Sequence, residues 1–195
     1  MNDTHENITD QAYSLFLNRS YEAVSMRELS KAVGLTKGSL YYHFRNKEEM
    51  FTAVVDKYLI IDELAPGDNT TIIQLIELCT DRARRIVFRT LSSEHANFPL
   101  NVLALFIDAL RHYPDFSSKK NDFIFSEINK IKKILDQAIS RGEIRDNINT
   151  SVIAEMFFAL YTGIAINLIQ GTLNRELAIC QMKEQLLEFY KLIKT

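Results

Sequence analysis

The sequence predicts an all-α protein with a small N-terminal helix-turn-helix module followed by a larger helical region. Three observations carry this. Glycine and proline together number nine in 195 residues, which leaves too few turn formers for a many-stranded sheet protein. No stretch alternates apolar and polar residues for long. Instead, apolar residues recur three and four positions apart along most of the chain, the period of a helix with one buried face. A hydrophobic content of 47% is that of a globular chain and argues against disorder.

The first helix is predicted from about Glu6 to Asn18, with Ile8, Ala12, Leu15 and Phe16 on one stripe. Ser25 precedes Met26, Leu29 and Val33, and Glu28 stands three residues after it, as a capping box requires. That short helix ends at Gly34, a residue suited to a left-handed C-terminal position. Leu35 anchors the turn, and Thr36 caps a third helix over Lys37 to Phe44. Asn46 with Glu49 caps a fourth, which continues through Phe51, Val54, Val55 and Tyr58. The run "APGDNTT" at 65–71 is the clear break, a module boundary or a sharp helix junction. Beyond it five more helices are predicted, at about 70–93, 99–112, 116–141, 150–171 and 175–193, punctuated by Pro99, Pro114, Gly142 and "RDNINTS". The expected total is about nine.

Composition narrows the function. Cys79 and Cys180 lie far apart in helical stretches, and with no leader sequence they fit a reducing cytoplasm. The apolar stretch 152–171 is interrupted by Glu155, Asn167 and Gln170, whereas a spanning helix needs about 18 or more apolar residues with few or no charges. It is expected to be buried by protein, not lipid. Net charge is only −2, yet five cations between Arg27 and Lys47 face Glu28 alone, so this segment carries +4. A positive patch on an acidic protein is a local electrostatic device.

Two short helices joined by a glycine-containing turn form a helix-turn-helix, whose second helix can enter a DNA major groove. Ser30 is small where the two helices approach, and Leu29, Val33, Leu35 and Leu40 supply apolar contacts. On the third helix Leu40 and Phe44 share a stripe and should face inward. Lys37, Tyr41, Gly38, Tyr42, Ser39 and His43 fall on the neighbouring stripes. That outer set suits a nucleic acid. Lys37 can meet phosphate or a guanine edge, Gly38 lets backbone approach bases, and Thr36 and Ser39 offer hydroxyls; Tyr41, Tyr42, His43 and Lys47 can donate to phosphates. Tyr41 could equally pack against the first helix.

The run "SMRELSKAVGLTKGSLYYHFRNKEEMF", 25–51, resembles the DNA-binding signature of TetR-family transcriptional regulators. The resemblance implies a bacterial homodimer with a DNA-binding domain over 1–46 and a helical effector-binding and dimerisation domain over 47–195. It also implies that Ser25 and Arg27 meet the DNA backbone, that Thr36, Lys37, Gly38 and Ser39 sit over bases, and that Tyr41, Tyr42, His43 and Lys47 clamp flanking phosphates. One departure is Ser20, where the family usually has glycine. A left-handed Ser20 would be strained by about a kcal/mol.

A dimer is expected, because one such module neutralises too few phosphates to find a single genomic site. Ile179, Met182, Leu186 and Phe189, with Ala154, Phe158, Tyr161 and Ala165 on the preceding helix, form the candidate interface stripes. The same stripes would also complete a monomeric core. Candidates for an effector pocket are Phe88, Phe106 and Phe123 as lining, with Arg85, His95 and His112 as polar hooks. No metal or other cofactor is expected, since His95 and His112 lack ligand-spaced partners. An enzyme finds no support, with no phosphate-cradling glycine loop and no Ser-His-acid constellation. The expected function is a ligand-responsive repressor on a palindromic operator, the alternative a helical partner-binding regulator without a small-molecule effector.

Overall fold

The computed structural model describes residues 2–59, 63–90, 98–170 and 175–195. Among them are nine α-helices: α1 (Asn2–Asn18), α2 (Met26–Ala32), α3 (Lys37–His43), α4 (Lys47–Tyr58), α5 (Ile72–Thr90), α6 (Phe98–His112), α7 (Phe116–Ser140), α8 (Thr150–Gln170) and α9 (Arg175–Ile193). A 3-10 turn, Tyr21–Ala23, joins α1 to α2. Extended pairing among the described residues is limited to one isolated antiparallel bridge between Ile144 and Lys194. The all-helical expectation therefore holds.

Packing gathers the chain into two compact units, Met1–Ile61 with Glu94–Lys119, and Asp62–Ser93 with Lys120–Thr195. In the first, Ile8, Ala12 and Phe16 of α1 are buried with Leu29 of α2, Leu40 of α3, Met50, Phe51 and Val54 of α4, and Leu105 and Ala109 of α6. Each buried aliphatic or aromatic side chain of this size contributes about 1.5–3 kcal/mol. The helix ends are closed as the sequence requires. Ser25 forms the full capping box with Glu28, and the Thr36 and Asn46 side chains accept from the N–H groups of Ser39 and Glu49. Gly34 has φ +69°. Around it the Leu35 N–H donates to the Ser30 carbonyl at 3.0 Å and the Gly34 N–H to the Lys31 carbonyl at 3.3 Å, the paired closure of a left-handed C-terminus.

Ser20 corrects an expectation. Its φ of −57° and ψ of 155° are ordinary extended backbone, not left-handed, so serine there carries no strain. The chain escapes by a 3-10 turn that the helical periodicity did not disclose.

The second unit buries Leu75, Ile76 and Cys79 of α5, Ile131, Ile134 and Leu135 of α7, Ala154, Phe157 and Tyr161 of α8, and Met182 and Leu186 of α9. Through this core runs an ionic group: Arg82, 2% exposed, pairs with Glu127, 0% exposed, and donates to the Tyr161 hydroxyl at 3.0 Å. Glu127 also accepts from the Leu64 N–H at 3.0 Å and from Lys130 at 3.1 Å. Removing one partner of such a pair typically costs about 3–5 kcal/mol, because the other charge stays buried. Burial also pushes the Cys79 thiol up to about 12, which leaves it protonated and inert.

The stripes expected at a dimer interface pack largely within their own chain. Ala154, Tyr161, Ile179, Met182 and Leu186 are buried within the protomer, and Phe158, Ala165 and Phe189 pack half-buried against the same core. The five buried side chains complete the core of their own chain, while Phe158, Ala165 and Phe189 keep part of their surface outside it. Among the described residues, the large apolar side chains that α8 and α9 expose are Val152, Met156, Ile166, Leu177 and Leu192.

Candidate nucleic-acid interface

The turn at Gly34 and the cap at Thr36 fix where α3 begins, and the burial of Leu40 and Phe44 at 0% and 1% fixes its rotation. With that stripe inside, the rest of the helix faces out. Thr36, Lys37, Gly38, Tyr41 and Tyr42 are exposed, while Ser39 and His43 are half-buried. Tyr42 is the extreme case at 75%, far more than a tyrosine with a packing role would show. Its ring meets His43 edge-on at 5.3 Å. Tyr41 is 42% exposed, with the Lys37 ammonium 5.7 Å from its ring centroid.

Several of these groups already have work within the protein. The Thr36 hydroxyl oxygen accepts the Ser39 N–H at 3.2 Å, a role that leaves its own proton to donate. Ser25 is more committed. Its hydroxyl donates to Glu28 at 2.7 Å and accepts the Glu28 N–H at 3.3 Å, while its own N–H donates to the Glu28 carboxylate at 2.9 Å. Arg27 is exposed on α2. Lys47, the first residue of α4, donates to the Tyr21 carbonyl at 2.9 Å and lies 4.0 Å from the Tyr21 ring centroid. An ammonium has three donors, so this bond leaves others for an outside acceptor.

The surface is thus a short helix presenting one lysine, a backbone without side chain at Gly38, hydroxyls and two tyrosines, flanked by Arg27 and Lys47. Nothing on it pairs a nucleophile with a base. Its chemistry is hydrogen-bond donation, of a kind suited to an anionic ligand.

The effector candidates are spread over both units. Phe106 is half-buried on α6 and meets Phe116 edge-on at 5.5 Å. His112 stacks on the Tyr21 ring at 4.3 Å and stands 3.5 Å from Glu22. In the second unit Arg85 is exposed on α5 and Phe123 half-buried on α7. The side chain of Phe88 and all of His95 lie outside the described residues. Sequence reasoning missed Asp108 and Tyr21, which are joined across 87 residues by a hydrogen bond from the Tyr21 N–H to the Asp108 carboxylate at 2.7 Å. No local pattern could have announced a contact at that separation.

Comparison with known proteins bears on the segment that carries this surface. Residues 8–54 match the model for bacterial regulatory proteins of the tetR family. The chain is similar to the A-factor receptor protein of Streptomyces griseus, 25% identical over 165 residues that cover 84% of this chain and 54% of that one. It therefore spans about half the length of that relative. Among solved structures it resembles NalD, the secondary repressor of the MexAB-OprM multidrug efflux pump in Pseudomonas aeruginosa, with a TM-score of 0.67, 19% identity, and 99% and 97% of the two chains covered. The SmeT–triclosan complex aligns with a TM-score of 0.66 at 17% identity, covering 98% and 92%. At such identities the structures speak to the fold. The helix-turn-helix match, reached independently of them, falls on the segment whose cationic flank faces out. Over residues 8–54 the chain is thus similar to the tetR family of bacterial regulatory proteins, and over nearly its whole length its fold resembles that of NalD.

Proposed function

We propose that the chain is a ligand-responsive transcriptional repressor that binds a palindromic operator as a homodimer, one α3 in each of two successive major grooves. The observation that carries this reading is the rotation of α3, which buries Leu40 and Phe44 and turns Lys37, Gly38, Tyr41 and Tyr42 outward. Thr36 to Ser39 read bases, and Ser25, Arg27, Tyr41, Tyr42, His43 and Lys47 hold phosphates on either side. Residues 1–46 form the DNA-reading domain and 47–195 the effector-binding and dimerisation domain, with α4 and α6 buttressing the reading head inside its own compact unit. A DNA ligand puts the protein's work in the cytoplasm.

The partner copy docks on the exposed face of α8. Val152, Met156, Ala159, Gly163 and Ile166 are all exposed there and follow a 4-3-4-3 spacing, and the small residues at 159 and 163 let a facing helix approach closely. A small-molecule effector is supported by two relatives whose names record a bound molecule, the A-factor receptor and the SmeT–triclosan complex. Such a ligand moves the operator equilibrium only by the difference in its affinity for the two states of the protein.

The test is an anisotropy titration of the duplex lying upstream of the protein's own coding region. Lys37→Ala is expected to lower affinity by about tenfold to a hundredfold and to reduce the salt slope by about 0.9 for each phosphate it leaves without a cation. Unchanged affinity would remove α3 as the contact surface.

A further inference from the structure

The 3-10 turn between α1 and α2 begins at Tyr21, whose N–H, as the first of such a turn, has no partner within it. Its own N-cap residue, Ser20, supplies no side-chain bond. The missing acceptor comes from α6: Asp108, only 8% exposed, takes the Tyr21 N–H at 2.7 Å. One turn further along α6, His112 stacks on the Tyr21 ring, 4.3 Å between centroids and 19° from parallel, and Phe51 of α4 meets the same ring edge-on at 4.8 Å. Tyr21 is thus fixed at its backbone and at its ring. What it then holds is Lys47, whose ammonium donates to the Tyr21 carbonyl at 2.9 Å and lies 4.0 Å from the ring centroid.

We infer that Asp108 of α6 is a positioning residue for DNA binding: it fixes Tyr21 and, through Tyr21, holds the Lys47 ammonium ready for a phosphate. The inference rests on the DNA-binding function proposed above. A lysine side chain carries large rotamer freedom, and ordering it on binding weakens association. A lysine already held by a carbonyl and an aromatic face has given up most of that freedom before DNA arrives, and it keeps donors to spare. Asp108 does not touch DNA in this account. It acts only through Lys47.

The experiment compares Asp108→Ala with Asp108→Asn. Both remove the same charge, so general attraction to DNA changes equally in the two, but only asparagine keeps an oxygen to accept the Tyr21 N–H. The probe is mixed-sequence double-stranded DNA at low salt, which reads phosphate contacts without requiring the operator. Asp108→Ala is expected to bind about tenfold more weakly than Asp108→Asn, each protomer of the dimer losing one pre-held lysine. In a Lys47→Ala background the two should bind alike, whereas a purely structural role for Asp108 would leave their difference intact. Equal binding of the two variants, or a difference that survives Lys47→Ala, overturns the inference. Should Asp108→Ala fail to fold by its helical circular dichroism, Asp108→Leu carries the test, since it removes the acceptor for the Tyr21 N–H and the same charge while filling the space of the carboxylate. A loss that vanishes in the Lys47→Ala background supports the relay, and no loss overturns it. Lys37→Ala is the control for the underlying function. If it weakens binding while the Asp108 pair binds alike, only the positioning role falls; if it has no effect, the DNA-binding reading falls with it.

Discussion

Glu28 shows how much one side chain can organise at the mouth of the helix-turn-helix. Its carboxylate accepts from the Ser25 hydroxyl, from Arg19 and from the Ser25 N–H, and these contacts, in that order, hold its pKa at about 2 against an ordinary 4.5. A carboxylate held low stabilises the fold only while ionised. Its contribution is full above about pH 4.5 and is lost as pH falls from there towards 2. Urea midpoints followed across that window should fall less steeply for Glu28→Gln than for the parent, because glutamine keeps the geometry of the cap and has no charge to lose. The Ser25–Glu28 box was legible in the sequence, since capping is a matter of spacing. The Arg19 partner was not, and neither was the hold that Tyr21 has on Lys47, because side-chain reach across a turn leaves no periodic trace.

The two glycines of the reading head separate stability from recognition at the scale of the element. Gly34 closes α2 at φ +69° with nothing within 4 Å of where a Cβ would stand, so the cost of Gly34→Ala is conformational alone, about 1–2 kcal/mol. It should appear as a lowered melting temperature of about 2–4 °C per kcal/mol. Gly38 has ordinary helical backbone and equally open surroundings. Gly38→Ala should melt at the same temperature or higher, by up to about 1 kcal/mol of helix propensity, yet bind DNA more weakly, because on the proposed reading the added methyl group stands where a base edge comes. Helices such as α7 and α9 were legible almost to their ends because they keep one apolar face through many turns. The role of the α8 and α9 stripes was not legible. A 3-4-3-4 spacing says that a face is covered and is silent on whether the cover is the same chain or its twin. Met182 and Leu186, at 0% exposure, are covered by their own chain, and only packing around all sides of α9 could reveal that.

For the molecule as a whole, the proposed two-fold symmetry turns a weak contact into a specific one, so on that reading the exposed face of α8 matters as much as α3. Met156, 51% exposed, lies within the proposed face, and Met156→Glu would set a charge against its symmetry mate in an apolar contact. The dimer dissociation constant is expected to rise at least about a hundredfold, read by sedimentation, with helical content unchanged and DNA affinity reduced; an unaltered dimer would place the interface elsewhere. The same reading makes a claim about where DNA lies along the chain. Amide hydrogen exchange, followed with and without saturating duplex DNA from the upstream region, tests it most directly. The account predicts slowed exchange across α2, α3 and the first turn of α4, with the exposed face of α7 unaffected. Slowing confined to α7–α9, with Thr36 to His43 exchanging as in the free protein, would contradict it.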